Sequence, residues 1–545
     1  MLVRRSQAFE AAVPGSGRGG VKTFKFMVGR AVGLGRALWL AVGFALSLAP
    51  PYAAAKKPSP ASKAASASGT PEKGAVLPPA IASILRGSGL PLKSFALEAR
   101  AVDAPEAAPL LSLHAEQPFL LASTTKLVTS LAALDLLGPE HRWTTRAHAT
   151  APVTAGRLGG DLVISGGPVG LTGNELRRWF AQMRSEGLQT IAGNIVLDDV
   201  ALLHERDPKQ ARATEEESAP DAPIDAHDYN RGKLLVSVKP SGSGTRALVT
   251  LTPKPANVLV VNDVFMGGGC SAWARWKRPD EIENAGPPLQ LWVRGRWERE
   301  CPAEDIAYVA ALPDVRLAPE LGAAPALPIA AARMVAGLWS EAGGALKGHV
   351  VERAESSGPP RSARWSSELA TPVAEVLREM NKTSNNEAAQ SVLLSLAAGE
   401  KPARGAGLLK AAQERVRGWL RTQGLADGDI TVVLGSGRSR AERGKPRALV
   451  ELLRRAWQGP GSQALVDSLP IAGVDGTLVH RMTASAATGK AFLKTGTLSD
   501  TRALAGYVRA RSGKVYAVSL IVTDPEAARG TPVLDSIVAW IAGSG

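Results

Sequence analysis

The sequence predicts a mixed α/β domain interrupted by a β-rich insertion. Three observations carry this. Helix-forming and alternating apolar segments occur side by side near both ends of the chain. Between them, short strand-like pieces are divided by Gly and Pro, and helices return only from about Ala331. One discontinuous domain, residues 80–143 and 346–545, is therefore expected to surround an insertion of about two hundred residues, 144–345. Insertion is physically easy where the two chain ends lie close together. At 545 residues and 45 % hydrophobic content the chain holds material for more than one core.

Taken from the N-terminus, Arg30 and Arg36 precede the apolar run Ala37 to Ala49, and Ala53-Ala54-Ala55 follows. That is the layout of a secretory signal over residues 1–55, with Met27 as a candidate start. The run is short for a transmembrane span, and only an uncleaved signal would touch the membrane. Residues 56–79 are Lys, Ala, Ser and Pro without periodicity and read as a disordered linker. Next, "SFALEARAV" (Ser94 to Val102) and "PLLSLHAEQ" (Pro109 to Gln117) alternate about the turn "DAPEAA" and predict a hairpin. A helix starting at Ser123 and ending before Gly138-Pro139 follows directly.

In the middle segment, strands are predicted within Gly160 to Ser165, Gly193 to Asp199, Ala247 to Pro253 and Leu289 to Trp297, with one amphipathic helix from Gly173 to Gly187. Cys270 and Cys301 are the only cysteines, and in an exported chain a disulfide between them is favoured over two buried thiols. Near the C-terminus, "AFLKTGTL", "RALAGYVRA" and "KVYAVSLIV" predict an antiparallel meander, and "VLDSIVAWIAG" a helix against it.

Charge narrows the function classes. The formal net charge is +14, of which the first fifty-five residues, with seven Lys/Arg and one Glu, account for six. The remaining basic chain suits a polyanion, but no zinc-finger spacing, basic zipper or ribonucleoprotein box points to nucleic acid. Two cysteines and seven scattered histidines argue against a metal site.

Three constellations carry chemistry. In "ASTTKLV", Ser123 and Lys126 stand three apart at a helix start, where they share a face and meet the positive end of the helix dipole. Such a lysine can activate the serine if its pKa falls; the plain alternative is a serine capping the helix. In "MNKTSNNEAAQ", Ser384-Asn385-Asn386 separates two helical stretches, either as polar side chains aimed into a cleft or as an ordinary break with an Asn cap. In "KAFLKTGTL", Lys494, Thr495, Gly496 and Thr497 lie on a strand. There the lysine either protects an edge or, with the threonine hydroxyls, holds a carboxylate while the glycine admits a substrate backbone.

Ser-x-x-Lys, Ser-x-Asn and Lys-Thr-Gly in this order form the set of the penicilloyl-serine enzymes. With "GDLVISGG", "IAGNIVLDD", "GSGRSR" and "LPIAGVDGTL", the chain resembles the low-molecular-mass class C penicillin-binding proteins over most of Leu77 to Gly545. These are the D-alanyl-D-alanine carboxypeptidase/endopeptidases of the periplasm and cell wall. Several positions differ from that pattern. Leu121 replaces a usual Pro, Asn385 a common Asp, Gly167-Pro168-Val169 a usual Gly-Asp-Pro, Leu434 an acidic residue or Asn, and Arg438 a Leu; the Tyr229-Asn230 region matches poorly.

The resemblance implies a transpeptidase/β-lactamase-like domain: a five-stranded antiparallel sheet with helices on both faces, beside a helical region carrying Ser123 and Ser384. It implies attack by Ser123, proton acceptance by Lys126, and relay to the leaving amine by Ser384 and Lys494. Asn386 would hold the substrate amide, and Thr495 and Thr497 the terminal carboxylate. The backbone N–H groups of Ser123 and Thr497 would form the oxyanion hole. No cofactor is implied. The expected partners are peptidoglycan and, as covalent inhibitors, β-lactam antibiotics, in the periplasm or cell envelope. A β-lactamase or esterase on the same scaffold, or a catalytically idle wall-binding protein, are the alternatives.

Overall fold

The computed structural model describes residues 75–104, 106–165, 173–198, 234–277, 289–301, 304–309, 329–353, 365–397 and 406–544. The signal segment, most of the linker, Gly167-Pro168-Val169 and Tyr229-Asn230 lie outside these residues. Among the described residues, no helix is long and apolar enough to cross a membrane.

The chain begins with α1 (Pro79–Gly87), then β1 (Phe95–Ala101) and β2 (Leu111–Leu113), which pair antiparallel with Leu97 opposite Leu113. A 3₁₀ turn at Ala122–Thr124 leads into α2 (Thr125–Leu136). The middle segment contains β3 (Arg142–Ala149), β4 (Leu162–Ser165), α3 (Gly173–Ser185) and β5 (Ile195–Asp198). It continues with β6 (Leu234–Lys239), β7 (Leu248–Thr252), β8 (Val258–Met266), β9 (Cys270–Trp276), β10 (Leu289–Trp297) and β11 (Glu304–Val309). The helix α4 (Ile329–Glu341) and strands β12 (Val350–Arg353) and β13 (Ser366–Pro372) complete it. Helices follow: α5 (Val373–Lys382), α6 (Asn386–Ser395), α7 (Ala406–Thr422), α8 (Pro446–Gln458) and α9 (Ser462–Ser468). The chain closes with β14 (Ala491–Leu498), β15 (Thr501–Arg509), β16 (Val515–Thr523) and α10 (Gly530–Ser544).

Five strands from the two ends form one antiparallel sheet in the order β2-β1-β16-β15-β14. Its faces can be read from the period of two along a strand. Ala96, Ala503, Ala505, Tyr507, Ala517 and Ile521 join the core of α2 and α5–α9. Leu97, Leu504, Val518, Leu520 and Val522 point the other way, into the core made with α1 and α10. Strand β16 is consequently buried from Tyr516 to Val522, a continuous apolar run rather than an alternating one.

The middle segment builds its own layers. A sheet β12-β5-β4-β3-β13 packs on α3 and α4 through Trp179, Phe180 and Trp339. Two three-stranded sheets, β7-β6-β11 and β8-β10-β9, enclose a small core around Val236, Val264, Leu291 and Trp297. The pairing of β13 with β3 carries the first of these sheets to Pro372, beyond residue 345. Several pairs are parallel, among them β4 with β5 and β8 with β10. Alternation alone does not distinguish parallel from antiparallel partners.

Cys270 at the start of β9 and Cys301 after β10 form a disulfide, their Cα atoms 5.6 Å apart. Alkylation of unreduced protein should therefore modify no thiol. Reduction should destabilise this segment by about 3–4 kcal/mol, the loop-entropy value for thirty-one residues. Two modified thiols in a mass spectrum of the unreduced exported protein would contradict this.

Candidate active site

Ser123 sits in the 3₁₀ turn rather than in the α-helix proper, and the helix entry has no side-chain cap, so the serine is not an N-cap. The preceding Ala122 holds φ +47°, a conformation that costs a non-glycine residue about 1–3 kcal/mol and turns the chain sharply into the helix. Two glycines allow this turn its neighbours. A Cβ on Gly437 would come within 1.8 Å of the Ala122 carbonyl oxygen, and one on Gly496 within 3.0 Å of the Leu121 oxygen. The 435–437 loop and strand β14 are therefore pressed against the backbone on either side of Ser123.

Lys126, one turn on and fully buried, donates Nζ–H to Ser123 Oγ at 3.1 Å, to Asn386 Oδ1 at 2.7 Å and to the Ser436 carbonyl at 2.5 Å. These three partners fix the position of its nitrogen beside Ser123 Oγ. Asn385 Oδ1 caps α6 by accepting from Ala388 N–H at 3.0 Å, so the capping alternative is realised at Asn385. That leaves Asn386, the next residue, to face Lys126. Ser384 holds φ +58°, and its Oγ accepts from Lys494 Nζ at 2.9 Å.

Strand β14 is an edge of its sheet, yet Lys494 is fully buried, so it does not serve as an exposed edge charge. Its Nζ also donates to the Thr495 carbonyl at 2.9 Å. Burial, reinforced by the nearby charge of Lys126, holds the Lys494 pKa well below the usual lysine range. Thr495 Oγ1 lies 2.9 Å from Thr477 Oγ1, while Thr497 is exposed at the mouth of the strand. The structure thus gathers Ser123, Lys126 and Asn386 in one hydrogen-bonded set and Ser384 with Lys494 in a second. Gly496 joins them through its contact with the Ser123 turn.

The model of the D-Ala-D-Ala carboxypeptidase 3 (S13) family matches residues 80–543. The chain belongs to that family. This S13 serine peptidase is 28 % identical over 469 residues to the D-alanyl-D-alanine carboxypeptidase of Actinomadura sp. (strain R39), covering 81 % of this chain and 80 % of that one. It is 24 % identical over 424 residues to the D-alanyl-D-alanine carboxypeptidase DacB of Haemophilus influenzae, covering 74 % and 80 %. In fold it matches the crystal structure of penicillin binding protein 4 from H. influenzae with a TM-score of 0.56 at 19 % identity, over 84 % of this chain and 99 % of the other. The transpeptidase/β-lactamase-like architecture is thereby established.

Several residues that support this candidate site were not singled out by the sequence. Glu442 is fully buried, and its carboxylate accepts N–H from Val433, Leu434, Gly435 and Gly437 at 2.6–3.1 Å. It thereby shapes the loop that presents the Ser436 carbonyl to Lys126, at the position where Leu434 departs from the family pattern. Burial pushes its carboxyl pKa up, against the pull of the four amides. Lys382, two residues before Ser384, donates to Asp475 and to the Leu469 carbonyl, the latter at 2.6 Å. Asn381 donates to Ser130 and Ser468 Oγ, tying α5 to α2 and α9.

Proposed function

We propose that this S13 peptidase removes the terminal D-alanine from peptidoglycan stem peptides and cuts the D-amino-acid cross-links between stems, through an ester on Ser123 that penicillin also forms. The observation that carries this is the 3.1 Å contact between Ser123 Oγ and a buried, triply held Lys126. As Ser123 Oγ attacks the penultimate D-Ala carbonyl, Lys126, acting as the neutral amine, takes its proton. The Ser123 and Thr497 amides hold the developing oxyanion. The proton held on Lys126 then passes through Ser384 and Lys494, whose Oγ and Nζ are joined at 2.9 Å, to the leaving amine, which restores the neutral Lys126. Water then hydrolyses the ester to the shortened peptide.

Asn386, with its Oδ1 taken by Lys126, offers its Nδ2 donors to the substrate amide carbonyl. Thr495 and Thr497 bind the terminal carboxylate, and Gly496 lets the peptide lie close along β14. Because the sheet of the middle segment runs from Arg142 to Pro372, residues 80–141 and 373–545 would form the catalytic domain and 142–372 the insertion, in a protein exported to the periplasm or cell envelope.

A synthetic tripeptide ending in D-Ala-D-Ala tests the activity. Release of D-alanine, and none from the same peptide ending in L-Ala, is expected; no release would remove the reading. The carboxylate assignment has its own test. Thr497→Val keeps the backbone N–H and the shape but deletes one hydroxyl. It should lower D-Ala-D-Ala carboxypeptidase kcat/KM by about 1–2 kcal/mol, or 5–30-fold, while acylation by an uncharged thioester changes little. Equal losses on both substrates would place Thr497 in the chemistry instead.

A further inference from the structure

The sheet β8-β10-β9 buries one face, and on the other Phe265, Ser271, Trp273 and Arg296 are exposed and Val261, Asp263, Trp292 and Arg294 half-buried. Val264, Leu291, Val293 and Trp297 point into the core. The alternate residues of each strand point outward, and their register sets them in rows. Val261, Trp292 and Arg275 stand side by side; Asp263, Arg294 and Trp273 form the next row, and Phe265, Arg296 and Ser271 the third. Rows two residues apart along a strand are about 6.6 Å apart.

The chemistry of this face is unusual for a solvated sheet. Trp273 is 48 % exposed and Phe265 42 %. The Arg294 guanidinium lies 4.0 Å from the Trp292 ring centre, and those of Arg246 and Arg296 lie 5.2 and 5.9 Å from that of Phe265. Arg246 reaches the face through its bridge to Phe265. Among the described residues, Arg246, Arg294 and Arg296 therefore meet one carboxylate there, that of Asp263, 3.5 Å from both Arg246 and Arg294. Neither hydrophobic burial nor ion pairing within the face accounts for such a surplus of cation and aromatic ring.

We infer that this face binds the sugar–peptide strands of the cell wall, seating sugar rings on Trp273, Trp292 and Phe265 and pairing the strands' carboxylates with Arg246, Arg294 and Arg296. Aromatic planes present broad apolar surface to the C–H faces of sugar rings, and their N–H and edges tolerate water. Arginine forks grip carboxylates two-pronged, and their positive surplus complements an acidic polymer. The inference rests on the proposed peptidase activity for the identity of the polymer. A second site on the insertion would hold the enzyme on an insoluble substrate between turnovers and raise the local concentration of cleavable ends.

The test uses the full chain with Ser123→Ala, so that the polymer is not consumed, sedimented with purified insoluble peptidoglycan. Adding Trp273→Ser, Arg294→Ser and Arg296→Ser should weaken binding at least ten-fold, and raising the salt should weaken the parent in the same direction. Trp273→Ser alone, at an exposed position, should weaken binding about three-fold and keeps the test decisive if the triple variant fails to fold. With Ser123 restored, release of D-alanine from the soluble tripeptide should be unchanged by Trp273→Ser. Equal sedimentation of parent and Trp273→Ser, or tighter binding of the parent to anionic lipid vesicles than to peptidoglycan, would overturn the inference. A chain that releases no D-alanine yet sediments through this face would refute the peptidase reading and leave the binding surface standing.

Discussion

Ser123→Ala should reduce D-alanine release by at least about 10⁴-fold, the scale on which removing a nucleophilic serine acts when the rest of its site is left in place. Stability should scarcely change. The substitution deletes one hydroxyl that accepts a single hydrogen bond from Lys126, whose Nζ keeps Asn386 Oδ1 and the Ser436 carbonyl. A net loss of about 0.5–1.5 kcal/mol bounds the effect. Thermal unfolding, together with turnover of the tripeptide, separates the two outcomes. A variant that unfolds like the parent and still releases D-alanine would mean that the ester forms elsewhere.

The second large effect is expected at Glu442, which acts through the 435–437 loop beside Ser123. Glu442→Leu strips four buried backbone N–H groups of their acceptor. At about 1–3 kcal/mol for each buried donor left unmade, partly relieved by relaxation, the loss should be on the order of 4 kcal/mol or more. Glu442→Gln retains an oxygen for Val433, Leu434 and Gly435 but turns an amide nitrogen toward the Gly437 N–H. It should therefore cost less, about 1–3 kcal/mol. Both should lower kcat more than KM, because the loop they release carries the Ser436 carbonyl that fixes Lys126. Urea unfolding and steady-state kinetics check this, and a Glu442→Leu enzyme as stable and as fast as its parent would contradict it.

What could be read from the sequence was local. Ser123 and Lys126 are three residues apart, so helix geometry alone brings them together. Ser384-Asn385-Asn386 and Lys494-Thr495-Gly496-Thr497 are each contiguous, and their order along the chain made the set recognisable. The alternating β1 and β2 announced themselves through period two, and the meander β14-β15-β16 through three strand-like runs in succession, the last two joined by a short turn. What stayed hidden depended on contacts across the chain. The bond from Lys126 to Asn386 spans 260 residues, and its partner at Ser436 is a backbone carbonyl, which no residue type encodes. Glu442 stands in a polar stretch, and nothing in its sequence neighbours marks it as buried. Lys382 and Asp475 stood within recognisable stretches, but their pairing appears only when α5 packs beside the 469–475 loop. The parallel pairing of β8 with β10 was hidden for a related reason: alternation shows which residues face inward and leaves the partner strand open.

The proposed reaction passes through a covalent ester at one serine, and locating the penicillin adduct examines that directly. Protein incubated with penicillin should be digested and its peptides weighed. The penicilloyl mass should appear on the peptide containing Ser123, once per chain, and vanish in Ser123→Ala. An adduct on Ser384, or none under conditions that label a known penicillin-binding protein, would contradict it.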